Sequence, residues 1–429
     1  MGIVIRYMKS IAGENKKLIL RRAAKTALSV IISVTLVLTC AMPAFTGQAQ
    51  AASFTSSKPK GAMASAVRQK AWVTWEGVKG ADGYEVYESV NGGAYRLVRR
   101  TTKKKIIRKG LRKGKEYSYY IYAYRMKNGK KQLSRKSRTA ETTVPKKAKS
   151  TIKNFLSNAK APIGSTMYVF GGGWNTWSAS AGTQAKRTGL SPEWRKFASK
   201  QNKKYNHWKY FYRSKKGLDC TGFLGWCVYN TLNTENGKSG YVFHSSQAGK
   251  VLAAKNLGKW TGRSKVKSHK AGDVMAANGH VWIVVGDCSD GSTVLIHSSP
   301  PGVRLAGTPN AKGKKNSQAA KLARAYMKKY YPKWYKMFPN VYTKKNYRKN
   351  YGRMRWYSSV LADPDGYKKM DAAGVLEDLF GPLVDPEPEP EPETPDTPDT
   401  PDTPDTPEDP ENPVDPGTPD DGQTGEGGE

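Results

Sequence analysis

The run Gly217-Leu218-Asp219-Cys220-Thr221-Gly222-Phe223-Leu224-Gly225-Trp226 places a cysteine where a polar turn becomes an apolar, helix-like segment. A thiol in the first turn of a helix feels the positive end of the macrodipole and the unpaired backbone N–H groups there. Both favour thiolate, so Cys220 is a candidate nucleophile near neutral pH. Cys227 lies one heptad on, among Phe223, Leu224, Trp226 and Val228, and reads as a buried structural thiol. On a helix the two sulfurs are about 10 Å apart along the axis, too far to bridge. Cys288 follows the apolar run Val281–Val285 and opens a polar turn, with no function to assign.

Charge is distributed unevenly. The chain carries 72 Lys+Arg and 35 Asp+Glu, but 17 of the acidic residues and no basic one lie from Asp385 onward. The preceding body is therefore strongly basic and suits a polyanionic partner: nucleic acid, anionic lipid or anionic wall polymer. The N-terminus selects among these. Basic residues from Arg6 to Lys25 precede the apolar run Ala27–Met42, and Ala49-Gln50-Ala51 supplies small residues for cleavage. That is the layout of a secretory signal peptide over residues 1–51. The apolar run is short for a bilayer span. The expected mature protein is secreted or wall-associated, from a Gram-positive bacterium, with no membrane anchor and no nucleic-acid partner. At the other end, Pro-Glu and Thr-Pro-Asp repeats over 385–429 predict a disordered tail, either a wall-spanning spacer or a passive solvating segment.

From Ala71 to Thr143 short alternating runs recur, such as Trp72-Val73-Thr74-Trp75, Tyr84-Glu85-Val86-Tyr87 and Tyr117–Tyr124, separated by turn signals. They predict an immunoglobulin-like all-β sandwich over 60–146. Trp75, the strand entry Gly80–Tyr87 and the segment Leu111–Tyr117 resemble a fibronectin type III domain, whose corner tyrosine ties back to backbone. The basic run Arg99–Lys115 reads as a solvated surface or a wall-polymer contact. Residues 147–384 mix helix and strand. A lead-in helix is expected over Lys149–Ala159, the cysteine helix to Leu232, strands over His280–Val285 and Thr293–Ile296, a basic amphipathic helix over Ser317–Tyr331, and a closing strand within Gly352–Val360.

Thiol hydrolysis needs a histidine to exchange protons with the sulfur and a polar group to orient that histidine. His280 opens one strand-like run and His297 ends the next, so hairpin pairing would bring both to one sheet end, beside Cys220. His207, His244 and His269 have no such strand frame and read as incidental. A zinc site is the rival reading of Cys plus His, but no close-spaced ligand pair occurs. No metal or other cofactor is expected.

In order, Tyr168-Val169-Phe170-Gly171-Gly172, Asp219-Cys220-Thr221-Gly222-Phe223, Gly272-Asp273-Val274, Gly279-His280-Val281-Trp282-Ile283 and Ile296-His297 resemble the NlpC family of papain-like cell-wall peptidases. The likeness spans Tyr168–His297. It implies an α+β papain-like peptidase domain, its cysteine helix packed on an antiparallel sheet. It further implies Cys220 as nucleophile, His280 as general base and acid, and His297 as orienting residue. Asp219 and Thr221 would hold the free amine of a peptidoglycan stem peptide, with Tyr168 lining the site. Beside those implied roles, Asp219 and Thr221 also read as helix caps, Tyr168 as a core aromatic, and Gly171–Gly173 as an ordinary turn. Residues 175–217 form an aromatic, basic insertion (Trp177, Trp194, Trp208, Tyr205, Tyr210, Tyr212) where the family has a short loop, and are expected to wall or cover the cleft. The resulting expectation is a cysteine endopeptidase cutting the bond from the γ-carboxyl of D-glutamate to a diamino acid. Amidase or acyltransferase chemistry at the same thiol, and a non-catalytic wall-binding protein, remain alternatives.

Overall fold

The structure, a computed structural model, describes residues 53–175, 180–232, 239–343 and 347–383. The signal peptide expected over 1–51, the tail expected over 385–429 and Trp177 lie outside the described residues. Among the described residues no helix is long and apolar enough to cross a membrane.

Eight strands form the first part: β1 (Met63–Val67), β2 (Lys70–Thr74), β3 (Gly83–Val90), β4 (Arg96–Thr101), β5 (Lys105–Arg108), β6 (Glu116–Lys127), β7 (Lys130–Leu133) and β8 (Ala140–Thr143). One sheet has the order β1-β2-β5; the other runs β4-β3-β6-β7, with β8 also on β6. The period-two pattern of β6 explains the layering. Tyr117, Tyr119, Ile121 and Ala123 are buried in the sandwich core with Val73, Tyr84 and Val86, whereas Tyr120, Tyr122 and Tyr124 point outward. Arg112 N–H donates to the Tyr117 hydroxyl at 2.8 Å, which closes the corner that the sequence suggested.

The second part opens with β9 (Ser150–Thr151) and α1 (Ile152–Lys160). Thr151 caps α1 by accepting from Asn154 N–H. There follow β10 (Met167–Tyr168), α2 (Pro192–Ala198), β11 (Gly217–Leu218), α3 (Cys220–Leu232), α4 (Ala248–Ala254), β12 (Gly258–Thr261), β13 (Val274–Ala277), β14 (His280–Asp287), β15 (Thr293–Ser299) and β16 (Gly302–Gly307). Last come α5 (Gln318–Tyr330), α6 (Pro332–Met337), α7 (Tyr347–Asn350), β17 (Gly352–Trp356), β18 (Leu361–Ala362) and α8 (Ala372–Phe380). The eight-stranded sheet has the order β11-β10-β16-β15-β14-β13-β17-β12. Its strands pair antiparallel except for β10 with β11.

Alternation again sorts the faces. Val281, Ile283, Val285, Val294, Ile296, Val303 and Leu305 share a core with α3, while Trp282, Val284, Leu295 and Ala306 form a separate cluster with Met275 and Tyr351. The apolar face of α5 (Ala319, Ala320, Ala323, Tyr326, Met327) is buried, and the helix packs on β16, which accounts for its amphipathic pattern without a membrane. The sequence expected Gly352–Val360 to close the sheet. Instead β17 lies inside it between β13 and β12, and Gly258–Thr261 supplies the edge.

The two parts are not strung on a linker; the described residues between Ser53 and Leu383 fall in one compact unit. Trp72 of β2 is fully buried in the core of the second part, and its indole N–H donates to Asn230 O at 3.1 Å. Asn158 donates to Ser65 Oγ (3.2 Å) and Thr231 Oγ1 (2.9 Å), and Ser150 Oγ donates to Ala66 O (2.8 Å). Asn154 accepts from Thr142 Oγ1 and Thr143 N–H, both at 3.0 Å. Buried amides satisfied on both sides fix one relative orientation.

Candidate active site

Three elements bring the expected residues together. Helix α3 starts at Cys220, β14 starts at His280, and β15 ends just past His297, so antiparallel pairing puts both histidines at the same sheet end. His280 Nε2 and His297 Nδ1 are 3.0 Å apart. The Cys220 sulfur lies against the N–H of Val281, the residue after His280, and against the N–H groups of Thr221 and of Cys220 itself.

Asp219 builds the helix start. Its Oδ1 accepts from Gly222 N–H (2.6 Å) and Thr221 Oγ1 (2.9 Å); its Oδ2 accepts from Gly171 N–H (3.1 Å) and the Trp174 indole (2.9 Å). Trp174 also donates to Thr221 Oγ1 at 3.0 Å. Both carboxylate oxygens are thus engaged by protein donors, and the capping role is the one the geometry displays. Burial pushes the Asp219 carboxyl up to about 6, against these four donors.

The Gly171–Gly173 turn approaches the helix itself. A Cβ on Gly222 would sit 1.9 Å from Gly172 O, and Gly173 has a φ of +101°. In an open helix Gly→Ala gains about 1 kcal/mol. Here a backbone oxygen blocks the methyl, so Gly222→Ala is expected to lower stability by about 1–3 kcal/mol. Urea denaturation of the purified variant measures this, and a midpoint at or above wild type would contradict the packing.

The electrostatics depart from the sequence expectation of a thiolate. Burial, then the Asp219 charge, pushes the Cys220 thiol up to about 12, against three N–H groups that pull it down. Burial, then the buried Arg304 guanidinium, pushes His280 down to about 3, and burial likewise holds His297 well below the usual range. Burial thus disfavours the charged forms of the thiol and of both imidazoles. Because a raised thiol pKa leaves less thiolate at every pH below it, Cys220 at pH 8 should hold on the order of 10³-fold less thiolate than free cysteine. Its alkylation by iodoacetamide should climb steadily from pH 7 to 10. A plateau below pH 7 would mean a preformed ion pair.

Tyr168 is opposite Leu218 in the β10–β11 register, two residues from the thiol. Burial, then proximity to Cys220, raises its hydroxyl pKa. The insertion both packs and projects. Trp194 is buried against Trp226 with centroids 5.9 Å apart, and Arg195 pairs with Glu76 of the sandwich at 2.8 Å. Trp208 and Phe211 stay exposed. His207 lies edge-on to Tyr168 at 5.4 Å and His244 lies 5.1 Å from Trp174, so both border the site from flanking segments. His269 is buried 6.1 Å from Trp282. Cys227 is fully buried, and Cys288 is half-buried.

Sequence reasoning missed four neighbours. Arg304 faces His297 across β15–β16 and is buried, its Nη1 donating to Ser299 O (2.6 Å) and Gly302 O (3.1 Å). The sequence signal was one arginine alternating with Val303 and Leu305. Tyr347 lies 5.6 Å and Tyr351 6.5 Å from His280, and Trp174 braces Asp219; long-range topology alone places these three. Among the described residues no group of three or more His, Cys, Asp or Glu is arranged to hold a metal.

No family model matches the chain, and no curated protein matches it. Solved structures do. A Fn3-like protein from Clostridium thermocellum is 26% identical over 20% of this chain and 91% of its own, with a TM-score of 0.18. The structure described as FN3tt mut is 23% identical over 20% of this chain and 94% of its own, with a TM-score of 0.18. A fibronectin type III domain from human KIAA0970 protein is 21% identical over 21% of this chain and 74% of its own, with a TM-score of 0.17. In topology and in its tyrosine corner the first part is a fibronectin type III-like sandwich.

Proposed function

We propose that the chain is a secreted cysteine endopeptidase, papain-like in its second part, that hydrolyses peptidoglycan stem peptides. One observation carries this reading: a thiol at a helix start lies against the strand that opens with His280, and His280 is hydrogen-bonded to His297. His280 Nε2 is committed to His297, which leaves Nδ1 to exchange a proton with sulfur. The neutral thiol passes its proton to Nδ1 as sulfur attacks the scissile carbonyl. The N–H groups of Cys220 and Thr221 take the oxyanion. The C–N bond breaks, protonated His280 gives its proton to the leaving amine, and water, deprotonated by His280, clears the thioester.

Asp219 and Thr221 act here as positioning residues through the helix start; contact with the substrate amine rests on the family resemblance alone. The D-glutamyl γ-bond is the scissile bond that the resemblance implies, and the basic body would gather the protein on anionic wall polymers. Mass spectrometry of soluble products from purified wall tests this. The reading requires new diamino-acid amines with matching D-glutamate carboxyls. Whole stem peptides released with a free N-terminal amine, leaving lactyl carboxylates on the sugar, would mean amidase chemistry, retained mass with a new linkage would mean acyl transfer, and no product at all would leave a binding protein.

A further inference from the structure

Beside the thiol a row of aromatic rings leads out to solvent. Tyr168 contacts His207 (5.4 Å), His207 contacts Trp208 (4.6 Å), Trp208 contacts Phe211 (5.5 Å), and Phe211 contacts Phe170 (5.5 Å). Trp208, Phe211 and Phe170 are 54%, 43% and 42% exposed. Three large apolar side chains left in water side by side, in continuity with a reactive site, mark a binding surface rather than scattered exposure. The surrounding charge is one-sided. Lys203, Lys204, Lys209, Arg213 and Lys215 are exposed in the same insertion, whose 11 basic residues face a single acidic one, Glu193.

Resting on the proposed endopeptidase reading, we propose that this shelf binds the sugar chain to which the cut peptide is attached, along sugars whose acid groups carry no peptide and remain carboxylates. A pyranose has an apolar C–H face that stacks on indole and phenyl rings, and a polar rim that reaches nearby donors. Its carboxylates meet the lysines and Arg213. Adjacent centroids lie 4.6–5.5 Å apart with ring planes turned 35–83° from one another, so successive sugars would meet separate ring faces along the row. The row ends at Tyr168, so a sugar chain on the shelf would direct its attached peptide to Cys220.

Peptide-free glycan strands from purified wall, titrated by calorimetry into the full chain, test this without any cleavage step. Trp208→Ala and Phe211→Ala should each weaken binding at least about tenfold, while Trp208→Tyr, which keeps a stacking ring, should stay within about threefold. A neutral dextran should bind at least about tenfold more weakly than the acidic glycan. Wild-type affinity in both alanine variants overturns the proposal, as does equal affinity for dextran or for single-stranded DNA. Binding of anionic phospholipid vesicles that the alanine variants lose equally would make the shelf a membrane contact instead, and also overturns it. Glycan binding without wall cleavage would sink the endopeptidase reading and leave the shelf standing; cleavage without glycan binding would do the reverse.

Discussion

Cys220→Ala should lower the rate of wall hydrolysis by about 10⁴ or more, the loss expected when a covalent nucleophile is removed from a set that works as a unit. The same change should cost the fold only about 1 kcal/mol. It deletes one sulfur, touches none of the Asp219 hydrogen bonds, and leaves the helix cap in place. The two readouts must separate. Zymography on purified wall should show no clearing at a thermal midpoint close to wild type. Full clearing by the variant would remove the nucleophile assignment, and a collapsed midpoint would mean that Cys220 serves packing instead. Because burial disfavours both charged forms, His280→Ala should produce a comparable loss, with no preformed thiolate favoured to act alone.

Trp72→Ala should be the costliest single change to stability, about 3–5 kcal/mol. The side chain is fully buried, belongs to the first part's β2, and fills the second part's core. Its removal leaves a large cavity and an acceptor at Asn230 O without its indole donor. Asn230 also holds Gly189 N–H (2.8 Å), Arg187 O and Trp226 O, so loosening it would reach the insertion and α3 together. Calorimetry should show one unfolding transition for wild type and a lower single transition for the variant. Two separate transitions in wild type would show that sandwich and second part fold independently.

How far the fold could be read depended on distance along the chain. Alternating tyrosines in Tyr117–Tyr124 announced a strand with two unlike faces, since period two is a local property. The apolar pattern within Ser317–Tyr331 announced α5, and the structure makes Ser317 its cap, accepting from Ala320 N–H. The sheet-end meeting of His280 and His297 followed from two strands and a short turn. The place of β17 did not, because nothing local says which neighbours a strand will choose. Trp72 read only as part of a sandwich strand for the same reason: the strand was legible, and the partner was not. The upward push on the thiol was not legible because the helix dipole is visible in sequence and desolvation is not. Arg304, Tyr347 and Tyr351 reach the histidines only through the folded sheet.

The shared core around Trp72, Asn154 and Asn158 makes the sandwich a rod and not a leash. A flexible linker would let the thiol sample a sphere of positions at some effective concentration. A rod permits one distance and one angle. On the proposed endopeptidase reading, whatever surface the sandwich rests on would then fix the height at which a bond can be cut, and bonds above or below that height would be spared however abundant they are.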